Sequence, residues 1–486
     1  MYFLKKQKIK SQQGTILVFL IIVLCVFSIL MLPLLDNIVL KLNILRTAID
    51  REKALQIAEA GVNYYQWHLA HFPEDYVNGS GEHEYIDKDT QEVVGHFNLV
   101  ITPPLIGSSV VTIKSTGWTT SSPSVTRTIT VQFGIPSLAK YAFLSNWHIW
   151  IYPSDSINGQ FMSNNGIRFE GTGNAPIQSF KPTYTCGHPD GCADYGETKP
   201  GIWGNPMPSQ ETQNFWQFPV SFVDFSTLTS TLSDMKGLAN KGGIYLPSSN
   251  KQGYSLVFNS DGTVTIYKVT KRRSNPTGQH YVYDVWSSYP DSTDYNSRTL
   301  LSGYDHKALP SNGIIFAEDN LWVEGTVKGR VTVATAKLGE TDLDDMYSIY
   351  IPNNIVYNSK DGSDVLGLIA QRDIIYSYYS PTNLEVDAAQ VAQNGATQVL
   401  YYSSNYECYA GQTCSHYPYI KNSIITYGSI MSYDGWVWSW SNADGSVFSG
   451  GYMHTYNNYD PNLLYSPPPS FPLSTSGYQQ FNWVSN

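Results

Sequence analysis

The sequence predicts a mainly β protein carried on one long N-terminal helix. Residues 15–35 (TILVFLIIVLCVFSILMLPLL) form an apolar run without a charged residue. Between residues 43 and 72, Leu55, Ala58, Val62, Tyr65, Leu69 and Phe72 recur at alternating steps of three and four, with no proline to interrupt them. That spacing draws one apolar stripe along a helix. The rest of the chain consists of short runs rich in Val, Ile, Thr and Tyr, punctuated by Gly, Pro, Asn and Asp, which is the pattern of strands and turns.

At about 1.5 Å per residue the apolar run matches the roughly 30 Å hydrocarbon core of a bilayer. Lys5, Lys6, Lys8 and Lys10 precede it without an acidic residue. The positive-inside bias therefore predicts a cytoplasmic N-terminus, with everything after Asp36 exported. A cleaved secretory signal has a shorter apolar region and ends in small residues. Here the run continues through Pro33 into the striped segment, so residues 15–72 are expected to be one retained rod.

Behind the rod, residues 95–102, 109–116 and 125–133 alternate apolar and polar side chains between turn clusters. They predict a three-stranded antiparallel meander, so that residues 73–136 complete a first unit with the helix. Residues 137–309 form a less regular β region. Its clearest feature is a hairpin in which GYSLVF and TVTIYKV flank Asn259-Ser260-Asp261-Gly262. From residue 310 to 486 short Ile-, Val- and Tyr-rich strands recur, closed by Asn, Asp or Gly, as in GIIFAEDNLWVEGTVKGRVTVATA and LGLIAQRDIIYS. Stacked coils that share one core, a β-solenoid, fit this series. An irregular β-sandwich is the competing architecture, because the repeat lengths drift.

The formal net charge is −10, and the leader contributes four positive charges, which leaves −14 on the remainder. That balance argues against nucleic acid as a partner, since such binding rests on Lys and Arg neutralising phosphates. The basic run Lys271-Arg272-Arg273 reads as a solvated turn. Charged residues are 14% of the chain, against about 25% in typical domains, while Tyr alone reaches 36 copies. Polarity is thus carried by Tyr, Ser, Asn, Gln and Thr, as in secreted β-rich surface proteins.

Residues 5–14 (KKQKIKSQQG), the run TILVFLIIVL and then ALQIAEAGVNYY at 54–65 resemble the N-terminus of type IV pilin-like proteins, in particular the PilX N-terminal family. The resemblance implies a prepilin peptidase cutting between Gly14 and Thr15 and methylation of the new N-terminus. It further implies a helix that waits in the membrane and then packs against other pilin-like subunits. Major pilins carry Glu at the fifth residue after the cut, and this chain has Phe19 there, which points to a minor or tip subunit. DVLGLIAQRDI at 364–374, VDAAQVAQNG at 386–395 and YDPNLLYSPPPSFP at 459–472 resemble a β-rich domain of unassigned function that follows such N-termini.

Few residues invite chemistry. Cys25 lies in the apolar run, while Cys186/Cys192 and Cys408/Cys414 are two pairs of identical spacing. On the exported side these read as local disulfides in small surface loops. Zinc, with His188 and His416, is the alternative, at a spacing unusual for its sites. Asp342, Asp344 and Asp345 are oxygen ligands close in sequence but lack the calcium-loop pattern, so a solvated turn is the simpler reading. Glycoside cleavage needs two carboxylates across a cleft, and Asp361 with Asp364 or Glu385 with Asp387 are the candidate pairs. No hydrolase triad, metalloprotease motif or phosphate loop is present. Trp436, Trp438 and Trp440 at alternate positions would line one face of a strand, either as a platform for surface glycans or as a hydrophobic cap. The sequence therefore predicts an exported, non-enzymatic pilus-like minor subunit without a cofactor, presenting its β domain for surface contact or adhesion. The alternative is a membrane-anchored protein that binds or cleaves polysaccharide.

Overall fold

The computed structural model describes residues 13–187, 191–192, 196–274, 278–282, 285–289, 292–402, 420–441, 448–474 and 477–485. It is mainly β with one long N-terminal helix, and divides into two compact units. One comprises Met1–Pro103, Val111–Phe133 and Gln480–Asn486, the other Pro104–Val110 and Gly134–Gln479.

In the first unit the helix Gln13–His71 runs for 59 residues through Pro33. The strands Gly81–Ile86, Val93–Thr102, Val111–Thr119 and Ser122–Gly134 form an antiparallel meander in chain order. The strand Gln479–Ser485, from the far end of the sequence, takes the fifth place beside Ser122–Gly134. The meander thus has one strand more than its alternation predicts. Gly81–Ile86 escaped because Glu82 and Glu84 are exposed and its inner face carries the polar His83, stacked on Phe97. Ala54, Ile57, Ala58, Val62, Tyr65 and Leu69 are buried, as are Phe97, Leu99, Val111, Ile113, Ile129 and Val131 of the sheet. The predicted stripe is corrected at both ends. Leu55 is only half-buried, Ile57 takes its place in the core, and Phe72 is exposed just past the helix. Gly61, Gly95 and Gly117 allow the close approach of helix and sheet: a Cβ on Gly117 would lie 2.4 Å from the Ala54 carbonyl oxygen.

The second unit is organised by parallel ladders around a common core. One runs through ten strands, and a single in-register row crosses all of them. In ladder order that row is Ile244, Ile315, Val333, Leu368, Gln390, Ile430, Phe143, Phe161, Ile177 and Trp216. Side chains two residues apart on a parallel strand share a face, so such a row stacks like on like and excludes water along its length. Gln390 is the polar member of the row, and its Oε1 accepts a 2.8 Å hydrogen bond from the Tyr376 hydroxyl within the core.

The order of the row is not the order of the chain. Ile430 sits beside Phe143, so the segment before residue 180 stacks onto the last turns of the segment after residue 310. Ser429 Oγ donates to the Tyr141 carbonyl at 2.6 Å, and Ile430 N to the Ala142 carbonyl at 2.9 Å, across that junction. Residues 137–309 and 310–486, separate in the sequence reading, therefore contribute to one sheet. The outward row beside this one includes Phe316, Ala334, Ile369, Val391, Met431, Leu144 and Met162. It is buried in a second cluster with Leu232, Met235 and Ala239 of the helix Ser226–Gly242 and with Phe471.

A further parallel ladder joins Leu321–Val327 to Ile349–Ile351, Ile374–Tyr376, Thr397–Val399 and Trp436–Val437. The last combines Asn383–Ala392, Ile420–Ser432, Phe448–Tyr459, Ser156–Asn158 and Thr172–Gly173. The predicted hairpin is present as Gly253–Asn259 and Thr263–Arg272, with Gly262 at a φ of 87° in its turn. Trp322, Tyr350, Ile375 and Tyr289 are buried together with Val269 of that hairpin.

Candidate functional site

Two features of this chain have functional geometry: the apolar anchor and the outer faces of the second unit. In the anchor, every large apolar side chain from Ile16 to Ile49 is exposed. Among the described residues this is the one helix long and apolar enough to cross a membrane. From Ala54 the same helix is striped and buried on one side by the meander. Asp50 marks the change, and its carboxylate accepts a 2.6 Å hydrogen bond from Ser122 Oγ of the sheet. Gly14 and Thr15 lie in the first turns of the helix, while the lysines of the leader lie outside the described residues.

Cys186 and Cys192 are bonded, with their Cα atoms 6.0 Å apart. The expected surface location is corrected: both cysteines are buried, packed with Tyr184 and the half-buried Trp203. The covalent bond also removes this pair as zinc thiolates. Beside it, the Arg168 guanidinium lies 3.9 Å from the Trp150 ring and 5.1 Å from that of Trp203, and pairs with Glu170 at 2.6 Å. Cys408 and Cys414, with His188 and His416, lie outside the described residues. No group of three or more His, Cys, Asp or Glu that could hold a metal occurs among the described residues.

The acidic cluster forms an exposed turn, with neighbours of its own. Asp342 accepts from Asp344 N at 3.0 Å and caps the turn Leu343–Asp345. Asp344 pairs with Arg372 at 2.9 Å, and Asp345 reaches Lys337 at 4.0 Å. Lys337 also binds Glu340 at 2.7 Å, which with two backbone amides holds that carboxylate down to about 2.

The candidate carboxylate pairs also have partners within the chain. Asp361 accepts from Ser363 N at 2.9 Å, and Asp364 from Gly329 N at 2.6 Å and Ser359 N at 2.7 Å. Glu385 and Asp387 share one cation, Lys360, at 3.0 and 2.9 Å. Asp387 is fully buried and also accepts from Tyr357 N at 2.9 Å. Desolvation raises its pKa despite those partners. Lys360 thus gives the two carboxylates one shared cationic partner.

The tryptophan series does not line one strand. The strands Trp436–Val437 and Ser439–Ser441 are separate, and the second turns antiparallel to Phe448–Tyr459. Trp436 stacks on Phe143 at 4.2 Å, Trp438 is buried against Tyr376, and Trp440 donates to the Val399 carbonyl at 2.8 Å. The three indoles therefore do not form one row on one strand: Trp438 is buried, while Trp436 and Trp440 are half-buried, each against its own partner.

What spacing could not reveal is a row assembled by parallel register. Glu385 opposes Ile425, and Ile425 opposes Tyr456, on three neighbouring strands. Ile425 is 37% and Tyr456 54% exposed, with Asn383, His454 and Asn458 exposed around them. The only signal in the sequence is the alternation within each strand, which gives no hint that the three are neighbours.

No protein-family model matches the chain, and no curated protein does. Among solved structures it is similar to the competence-associated pilin ComZ from Thermus thermophilus, at 11% identity and a TM-score of 0.30. That similarity covers 90% of this chain and 97% of the other.

Proposed function

We propose that this chain is an exported, pilus-like minor subunit that sits at filament ends and presents its second unit for surface contact. The observation that carries the reading is the change in the helix Gln13–His71 at Asp50. An exposed apolar half suits storage in a bilayer and later packing among like helices, and a striped half is already fixed to its own sheet. The basic leader ending at the Gly14–Thr15 junction fits processing by a prepilin peptidase, and its charge fits a cytoplasmic N-terminus. The PilX-type resemblance belongs to this reading, as does the description of the ladders in the second unit as a β-solenoid.

Position at an end follows from two features. Phe19 offers no carboxylate to a neighbouring subunit's N-terminal amine, and an unpaired charge in hydrocarbon costs several kcal/mol. A second unit extending from Gly134 to Gln479 would also crowd a shaft built on closely packed helices. The contact function is read as binding without turnover, since the candidate carboxylates are engaged by Lys360 and backbone amides. The test is Gly14→Leu, which should leave an unprocessed precursor in the membrane and no labelled filament ends. Filaments that incorporate the uncut variant normally, or immunogold label spread evenly along the shaft, would overturn the reading.

A further inference from the structure

We infer that the exposed face of the ladder formed by Asn383–Ala392, Ile420–Ser432, Phe448–Tyr459, Ser156–Asn158 and Thr172–Gly173 binds a neutral glycan lying across the strands. The inference rests on the reading of this unit as the contact-making part of the subunit, and it names what is contacted.

The centre of the face is a small apolar strip. Ile425 and Tyr456 are paired on adjacent parallel strands and both exposed, next to Glu385 on the third. Two residues along each strand, about 6.6 Å away, side chains rich in hydrogen-bonding groups flank the strip. Ser423 and His454 lie on one side, in register with Asn383. Asn458 lies on the other, in register with Asn158 and beside Tyr427, whose hydroxyl already donates to Asp460 Oδ1 at 3.0 Å. The amides are pre-ordered: Asn174 Nδ2 donates to Asn158 Oδ1 at 3.1 Å, and Asn383 Oδ1 accepts from Asn422 Nδ2 at 2.6 Å and Ser423 Oγ at 2.9 Å. Such ladders hold their free donors and acceptors outward without further loss of side-chain entropy on binding.

A sugar ring presents a C–H face and a rim of hydroxyls, and this surface presents their complements. The negative face of the Tyr456 ring and the Ile425 side chain take the C–H face, and the flanking amides, hydroxyls and imidazole take the rim. Parallel strands are about 4.8 Å apart, so an extended polymer crossing them meets a new side chain at each step. Charge selects among polymers. Glu385 shares its cation, Lys360 at 3.0 Å, with Asp387 at 2.9 Å, so the group offers no net positive charge. No other Lys or Arg stands in these rows among the described residues, which disfavours nucleic acid and acidic polysaccharide.

The experiment uses the full chain in a zwitterionic detergent without a sugar headgroup, titrated calorimetrically with cellohexaose and chitohexaose, with polygalacturonate as the acidic control. The expected result is saturable binding to at least one neutral hexasaccharide. Tyr456→Ala should weaken it at least tenfold, Tyr456→Phe should hold it within about threefold, and polygalacturonate should not bind. Tyr456 is exposed, so these variants keep the fold, which thermal melts verify. Absence of binding to both neutral probes overturns the inference, as does binding indifferent to Tyr456→Ala. Self-association that depends on Ile425 and Tyr456 would assign the face to a second copy and overturn it too. None of these outcomes bears on processing at Gly14, so the filament reading stands or falls separately.

Discussion

At Gly117 the sheet lies directly against the backbone of the long helix, and replacing it with alanine tests whether that contact holds the first unit together. A Cβ at Gly117 would meet the Ala54 carbonyl oxygen at 2.4 Å, Ala58 N at 2.5 Å and Ala58 Cα at 3.0 Å. Ordinary contact begins near 3.4 Å, and all three obstructing atoms are backbone, so no side chain can rotate away. The helix must lift by about 1 Å, which separates Ala54, Ala58 and Val62 from the sheet. Overpacking of this kind costs about 1–3 kcal/mol, and each 1.4 kcal/mol is a tenfold change in an opening equilibrium. Hydrogen exchange on the full chain should therefore show amides of residues 54–69 losing protection by about tenfold to a hundredfold. Amides of Val365–Ala370 in the other unit should keep theirs. Unchanged protection at 54–69, or equal loss in both units, would refute the reasoning.

Three further outcomes follow from the second unit. Replacing Cys186 and Cys192 together by serine should lower stability by about 2 kcal/mol, the low end of the usual range for so short a loop, as read from denaturant melts. Lys421 is buried, donates to the Ser377 carbonyl at 3.1 Å and the Ser380 carbonyl at 2.9 Å, and faces the Tyr452 ring and Asp294. Burial pushes it down to about 7 from an ordinary 10.5, so between those values the unfolded chain binds more protons. Stability should thus rise from pH 7 to about 9.5, by at most about 1.4 kcal/mol per pH unit, and Lys421→Met should abolish that slope. Arg330 donates to the carbonyls of Gly362, Ser466 and Pro467 at 2.8, 2.8 and 2.5 Å. Arg330→Ala orphans these acceptors and should cost about 2–4 kcal/mol, visible as a lower melting temperature with the helix unaffected.

How much could be read in advance depended on the range of the interaction. The helix, its stripe and the central strands of the meander are local patterns, and Ala58, Val62, Tyr65 and Leu69 are buried as their spacing predicts. Local signals failed where an element is defined by its partner. Gly81–Ile86 is an edge strand with polar side chains, and Gln479–Ser485 joins its sheet from the other end of the chain. The row that places Ile430 beside Phe143 is invisible to periodicity, because parallel register links residues of any separation. The same limit governs the sites. Alternation puts Trp436, Trp438 and Trp440 on one face, as a platform or a hydrophobic cap, because it assumes an unbroken strand; the break at Trp438 separates them, with Trp438 buried and the other two half-buried. Glu385 and Asp387 do share a strand face, yet Lys360, 25 residues before Glu385, determines what they can do.

Mass spectrometry of the N-terminal peptide, on protein recovered from its native membrane and filament fractions, decides most directly between a filament subunit and a simple membrane anchor. A filament subunit has a chain beginning at a methylated Thr15, with the leader through Gly14 removed and residues 15–35 retained. An intact leader in the filament fraction, or cleavage beyond Leu35 that discards the apolar run, would contradict it.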